Sequence, residues 1–144
     1  MLLGEHTPNF TGKGRIALPK KMREQMQGTE VVLTKGFEPC VFGYQKSVWE
    51  KQAEKQLEQS VTAGTARALR RYLFSGASIV SFDHQGRIVV PESLLSYAGI
   101  TEDVIVIGAG DHFELWNTKS WKEYLQRIER EAEQNLLEGG DART

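Results

Sequence analysis

Residues 82–91, FDHQGRIVVP, are the key to the fold, because five of these ten residues are identical to those at the same positions of residues 10–19, FTGKGRIALP. The two copies are 72 positions apart, and the same offset aligns Val32 with Val104 and Trp49 with Trp121. The chain is therefore predicted to contain a duplicated unit. One unit of about 45 residues buries too little apolar surface to be stable alone, so the two units are expected to pack on each other.

Each copy predicts a tight turn, a short strand and the start of a helix. Gly14 and Gly86 supply the positive φ that a tight hairpin turn requires. The apolar triplets that follow, IAL and IVV, are typical of short buried strands. Pro19 and Pro91 then end the sheet ladder, because proline has no N–H to donate, and both are suited to open a helix.

A single arginine separates turn from strand in each copy, Arg15 in the first and Arg87 in the second. A guanidinium beside a turn is either paired with an acidic neighbour or offered to a partner. Asp83 precedes Arg87 by four residues, which favours an intramolecular ion pair with Asp83 as an orienting group rather than a catalyst. The first copy has Thr11 at the corresponding position.

This repeat resembles the paired Asp-x-x-x-Arg motifs of the MraZ family, transcriptional regulators built from two tandem SpoVT-AbrB domains. The resemblance extends from MLLG at residues 1–4 through FELW at 113–116 to the helix after Trp121. Asp83 and Arg87 match the motif in full, whereas Thr11 departs from it. The resemblance implies an α+β fold in which two swapped-hairpin units form a pseudo-two-fold barrel with helices after each unit.

The repeat also predicts the domain organisation. Unit 1 is expected at residues 5–47, a helical linker at 48–76, unit 2 at 77–119, and a C-terminal helix and tail at 120–144. The linker is expected to include a second helix over residues 66–74. Gly108 belongs to a short glycine-rich stretch that predicts a hairpin turn rather than a dinucleotide-binding loop.

Two helix starts are predicted from capping-box spacing. SVWE at residues 47–50 places one start at Ser47, and SWKE at 120–123 places another near Thr118 or Ser120. The first of these helices is expected to bury a face containing Trp49, Ala53 and Leu57. Residues 139–144 are predicted to be a frayed tail.

The composition is that of a soluble globular protein, with 40% hydrophobic and 26% charged residues in 144. No apolar run reaches the roughly 20 residues of a membrane span, and no signal peptide is evident, so a cytoplasmic protein is expected. The lone Cys40 excludes an internal disulfide and a cysteine-based zinc site, and is expected in the core. The tryptophans Trp49, Trp116 and Trp121 are expected in the core or an interface.

Charge divides unevenly between the halves. Residues 1–72 hold 12 Lys and Arg against 7 Asp and Glu, whereas residues 73–144 hold 6 against 12. The first half offers a basic face to a polyanion, and it could instead attract the acidic half of a neighbouring subunit. Such a head-to-tail contact closes into a ring where the rotation permits.

The candidate DNA-binding residues are the basic side chains around the two turns. They are Lys13, Arg15, Lys20, Lys21, Arg23 and Arg87, with Thr11 and Asp83 as motif residues. A solvated charged face is the simpler explanation for such a cluster. A β-ribbon with a basic tip, however, has the shape that enters a DNA major groove, where lysines bind phosphate and arginine binds phosphate or guanine.

No enzyme is predicted. Asp83–His84 and Asp111–His112 lack a serine or cysteine nucleophile in a recognisable setting, and three histidines without helical spacing make no metal site. No cofactor or small-molecule substrate is expected.

By resemblance, the protein is a sequence-specific transcriptional regulator associated with the nucleoid. It would bind repeated short sites on double-stranded DNA as a homo-oligomeric ring, and control division and cell-wall genes. The rival hypothesis is an assembly protein that does not bind DNA, whose basic half docks on a neighbour's acidic half. An antitoxin-like partner of a toxin is a third hypothesis, disfavoured by the duplication. The operator, the direction of regulation, the subunit number and the effect of Thr11 do not follow from the sequence.

Overall fold

The computed structural model describes residues 1–137. The strands are β1 (Glu5–His6), β2 (Phe10–Thr11), β3 (Arg15–Ala17), β4 (Glu30–Lys35), β5 (Val41–Gln45), β6 (Ser78–Ser81), β7 (Arg87–Val89), β8 (Val104–Gly108) and β9 (Phe113–Asn117). The helices are α1 (Lys20–Gln25), α2 (Lys46–Leu57), α3 (Gly64–Ser75), α4 (Glu92–Ala98) and α5 (Thr118–Leu137). The α+β class is confirmed, while the predicted frayed tail at 139–144 lies outside the described residues.

The two units share both of the sheets. A six-stranded sheet has the order β1-β8-β9-β5-β4-β6, and a three-stranded sheet has the order β2-β3-β7, with antiparallel pairing throughout. The first strand of each unit pairs with the other unit, since β1 lies beside β8 and β6 lies beside β4. Neither unit therefore completes its sheet without the other.

Strand register reflects the duplication. Ile16 in β3 lies opposite Ile88 in β7, and Phe42 in β5 lies opposite Glu114 in β9. The members of each pair are 72 positions apart, so equivalent positions of the two units face each other. The pairing between the units is therefore symmetric about these two positions.

One segment departs from the 72-residue offset. Val31 pairs with Gln45 in the first unit, and Val104 pairs with Asn117 in the second. This makes Val31 the structural equivalent of Val104, although the sequence offset aligns Val104 with Val32. The offset grows by one residue here because α4, with 7 residues, is one residue longer than α1, which has 6. The following hairpin turn is shorter by one residue in the second unit, which restores the offset.

Two apolar clusters cover opposite faces of the six-stranded sheet. The larger cluster joins this sheet to the three-stranded sheet, α1 and α4, and includes Ile16, Ile88 and Phe113. The smaller cluster lies under α5 and includes the predicted core residues Cys40, Trp116 and Trp121. Successive residues of β8 contribute to alternate clusters, which explains why its sequence VIVIG is apolar throughout.

The two helices begin at or next to the predicted residues, but the predicted serine caps are wrong. α2 begins at Lys46, its N-cap residue Gln45 makes no side-chain capping bond, and Ser47 instead accepts a hydrogen bond from Gln45 Nε2 at 2.9 Å. α5 begins at Thr118 and is capped by Asn117, whose Oδ1 accepts from the Ser120 N–H at 3.1 Å. In both places a strand runs directly into a helix, so the last strand residue occupies the capping position.

The predicted buried face of α2 is also wrong. No residue of α2 is buried, and Leu57 is 55% exposed. Trp49 is half-buried and lines a cavity of about 350 Å³ between α2, α3 and the sheet, where its ring meets Phe74 edge-on. The linker helix predicted at residues 66–74 is confirmed as part of α3, and Gly108 is followed by the predicted hairpin turn. Within residues 1–137, every helix is too short or too polar to span a membrane.

Candidate nucleic-acid interface

The outward face of the three-stranded sheet carries both motif arginines. Ile16 and Ile88 point into the core, so the neighbouring side chains of β3 and β7 point outward. Arg15 lies opposite Val89, and Arg87 lies opposite Ala17. The two arginines are therefore diagonal neighbours on one face, with their Cα atoms roughly 7–8 Å apart.

Asp83 holds Arg87 in place. Its Oδ2 accepts a hydrogen bond from Arg87 Nε at 2.8 Å, and its Oδ1 accepts from the backbone N–H groups of Gln85 at 2.8 Å and Arg87 at 2.9 Å. The hydrogen bond from the Arg87 backbone, together with those from its side chain and from Gln85, lowers the pKa of Asp83 to about 2. The ion pair is half-exposed, with 35% of the Arg87 side chain accessible.

Arg15 has no equivalent restraint. Thr11, in place of an acid, lies opposite Arg15 in the β2–β3 pair and has no carboxylate to offer. Among residues 1–137, no side chain or backbone group hydrogen-bonds or ion-pairs with the exposed Arg15 side chain. The two hairpins thus differ in their arginines: Arg87 is hydrogen-bonded to an acid, whereas Arg15 has no such partner among residues 1–137.

Arg23 braces the second hairpin instead of facing solvent with the other cations. Its Nε donates to the Leu18 carbonyl at 3.1 Å, and a Cβ built on Gly86 would lie within 2.6 Å of three of its side-chain atoms. Gly86 has φ +74°, so glycine is favoured there by conformation and by this close approach. Leu95, 72 positions after Arg23, lies in the same way beneath Gly14.

The candidate lysines of the first unit are exposed, on the first turn and on α1. Lys13 is at the tip of the first turn with φ +78°, and Lys21 lies on α1 without a partner in the described part of the chain. Lys20 is 3.9 Å from Glu24, and both side chains are well exposed, so their attraction is weak. Glu92 occupies the position of Lys20 in the second unit, so the basic charge belongs mainly to the first unit.

Val89 is a further candidate that the sequence reasoning missed. It is 51% exposed and lies beside Arg15 on the outward face. The signal was present in the alternation of Arg87, Ile88 and Val89, in which only the middle residue faces the core. An exposed aliphatic side chain between two arginines can contact the methyl group of thymine.

These features define a class of duplicated α+β proteins that present arginine-bearing turns from both repeats on one exposed face. A family described as "MraZ protein, putative antitoxin-like" matches residues 1–72 and 73–139. The chain is 38% identical over 134 residues to the transcriptional regulator MraZ of Halothermothrix orenii, covering 93% of both chains. It is 38% identical over 143 residues to that of Syntrophomonas wolfei, covering 97% of this chain and 99% of the relative.

The chain belongs to the MraZ family. Members of this family are named transcriptional regulators, and the family is not one of enzymes. The resemblance inferred from the repeated motif is confirmed.

Proposed function

We propose that this transcription regulator acts by binding double-stranded DNA in a sequence-specific manner through the outward face of its three-stranded sheet. The observation that carries the proposal is the placement of Arg15 and Arg87 on one exposed face at the junction of the two units. Lys13 adds positive charge at the tip of the first turn, and Lys21 adds an exposed positive charge on α1. A curved sheet face with basic side chains is a recognised way to approach a DNA groove.

The proposal extends to architecture and assembly. The two units, taken as residues 5–47 and 77–119, form a swapped-hairpin barrel, with residues 48–76 and 120–144 as helical additions. The exchange of β1 and β6 between units supports this arrangement. Copies of the chain form a ring through their basic and acidic halves, so that several faces bind repeated short sites. Multivalency compensates for the weak grip of a single face.

The proposed setting follows from that assembly. The protein works in the cytoplasm on the nucleoid, and its target is the division and cell-wall gene cluster. Arg15, Arg87, Lys13, Lys20 and Lys21 contact DNA directly, whereas Arg23 acts through the second hairpin.

Binding of the full chain to a pool of random duplex DNA, followed by selection, tests the proposal. We expect a repeated short sequence to be enriched, and affinity for it to fall steeply with salt because lysine and arginine displace counterions from phosphates. Arg15→Ala should weaken binding. Arg130→Ala is the matched control, since Arg130 is an exposed arginine on α5, on the other side of the six-stranded sheet.

Sizing of the same variants separates this proposal from the rival assembly function. DNA binding requires that Arg15→Ala loses affinity while the oligomer keeps its size. If Arg15→Ala or Lys20→Ala splits the oligomer and DNA binding is absent or unchanged, the assembly function is correct and the proposal fails.

A further inference from the structure

We infer that the two arginines have different tasks, with Arg87 reading the edge of a guanine base and Arg15 gripping the phosphate backbone. The inference rests on the proposed DNA binding and specifies which residue determines sequence preference. It arises from the difference between Asp83 and Thr11, two otherwise equivalent positions of the repeat.

The hydrogen bonds of Asp83 leave the reading edge of Arg87 available. Asp83 binds Nε, so the guanidinium plane has a set direction, while its terminal Nη1 and Nη2 groups have no partner among residues 1–137. Two parallel N–H donors match the O6 and N7 acceptors of guanine in the major groove. A side chain held in one orientation before binding loses little freedom when it makes such a directional contact.

The surroundings of Arg87 are unsuited to a simple phosphate clamp. The Asp83 carboxylate lies 2.8 Å from Arg87 Nε, and its negative charge repels a phosphate that approaches the guanidinium. Repulsion between the Asp83 carboxylate and the DNA phosphates matters less when Arg87 contacts a base, because the bases carry no net charge. A fixed, partly neutralised arginine therefore favours base recognition.

Arg15 has the opposite properties. Its side chain is exposed and has no bonding partner among residues 1–137, and Lys13 in the same turn adds a second positive charge. A cation that no acidic partner holds in one orientation can meet phosphate from many directions, and phosphate contacts need no fixed geometry. Such a residue contributes affinity for any DNA sequence.

Arg23 is a positioning residue for the same reading edge. Its guanidinium lies under Gly86, inside the turn that connects Asp83 to Arg87. The turn itself is closed by the Gly86 N–H to the Asp83 carbonyl at 3.0 Å and by the Asp83 N–H to the Arg87 carbonyl at 2.9 Å. Arg23 thus supports the geometry that aims Arg87.

Lysine substitutions distinguish the two tasks, because lysine can replace arginine in a contact with phosphate but cannot make the paired hydrogen bonds to a guanine edge.

The experiment compares binding of the full chain to the best selected duplex with its binding to duplexes in which each guanine is replaced by adenine. Arg87→Lys should remove discrimination at one guanine by roughly 5- to 150-fold, the range of one bidentate pair. Arg15→Lys should leave the discrimination intact. Arg15→Ala should weaken binding to all duplexes alike, and should reduce the slope of the logarithm of the binding constant against the logarithm of the salt concentration by about 1. Arg130→Lys is the control.

Two further variants test the role of the carboxylate. Asp83→Asn should lose the same discrimination as Arg87→Lys, because an amide does not hold the guanidinium as a carboxylate does, while a urea-unfolding curve checks that the chain is folded. Thr11→Asp should raise discrimination and lower affinity for unrelated DNA, since it gives Arg15 an acidic partner.

The outcomes separate the inference from the function on which it rests. A wild-type chain that binds no duplex overturns both. If it binds, and Arg15→Lys loses discrimination as much as Arg87→Lys or more, the division of tasks is overturned and DNA binding stands. The division of tasks is equally overturned if Asp83→Asn, folded, keeps the full guanine preference.

Discussion

The contact between Gly43 and Phe113 gives a direct test of how the two units are joined. Gly43 in β5 lies opposite Phe113 in β9, and Phe113 is fully buried. A Cβ on Gly43 would lie within 2.5 Å of three ring carbons, about 1 Å or more inside the usual 3.5–4.0 Å separation of carbon atoms. Gly43→Ala should therefore destabilise the fold by about 1–3 kcal/mol through overpacking.

Shortening the opposing side chain should relieve this clash. Phe113→Leu alone removes buried ring atoms and should cost roughly 1–3 kcal/mol. With both substitutions, the new methyl group occupies part of the vacated space, so the double variant should be less destabilised than the sum of the single variants. We expect an interaction energy of about 1–2 kcal/mol for such contacting residues.

Urea unfolding at one fixed protein concentration measures these energies, since association alters apparent stability. Gly12→Ala is the control, because a Cβ at Gly12 would meet no atom of residues 1–137 within 4 Å, and its effect should be within about 0.5 kcal/mol. Additive effects of Gly43→Ala and Phe113→Leu, within that same margin, would refute the pairing of the two units through β5 and β9.

Two further predictions concern the six-stranded sheet. Burial disfavours the charged form of His112, but hydrogen bonds at 2.8 Å to Glu114 and 2.7 Å to Asp111 outweigh it and raise the pKa of His112 above 6.5. The protonated His112 therefore stabilises the fold fully below about pH 6.5, and this contribution is lost as the pH rises through the higher pKa of the folded state. The urea midpoint of the wild type should fall over this pH interval, and that of His112→Gln should change less. Asn117→Ala removes the α5 cap and should cost about 1 kcal/mol by urea unfolding, whereas an unchanged midpoint would contradict the capping role of its bond to Ser120.

Local patterns were sufficient for much of the fold. The repeated turns followed from Gly14 and Gly86, and the helix starts at α1 and α4 followed from Pro19 and Pro91. These features depend on backbone conformation and side-chain hydrophobicity, which are properties of the residue type and do not depend on distant parts of the chain.

Predictions that required knowledge of neighbouring elements were less successful. The Ser47 and Ser120 caps failed because β5 and β9 enter their helices without a loop. The equivalence of Val32 with Val104 failed because the offset changes within α4 and is restored one hairpin later.

The candidate site divides in the same way. Two turns that carry Arg15 and Arg87, with an acid four residues earlier only in the second, could be recognised from the sequence, because these are properties of nearby positions along the chain. The shared face of the two arginines, and the support that Arg23 gives to the second turn, became evident only from the folded chain. The physical reason is that antiparallel pairing between β3 and β7 joins segments 72 residues apart, and such long-range pairing sets which side chains become neighbours in space.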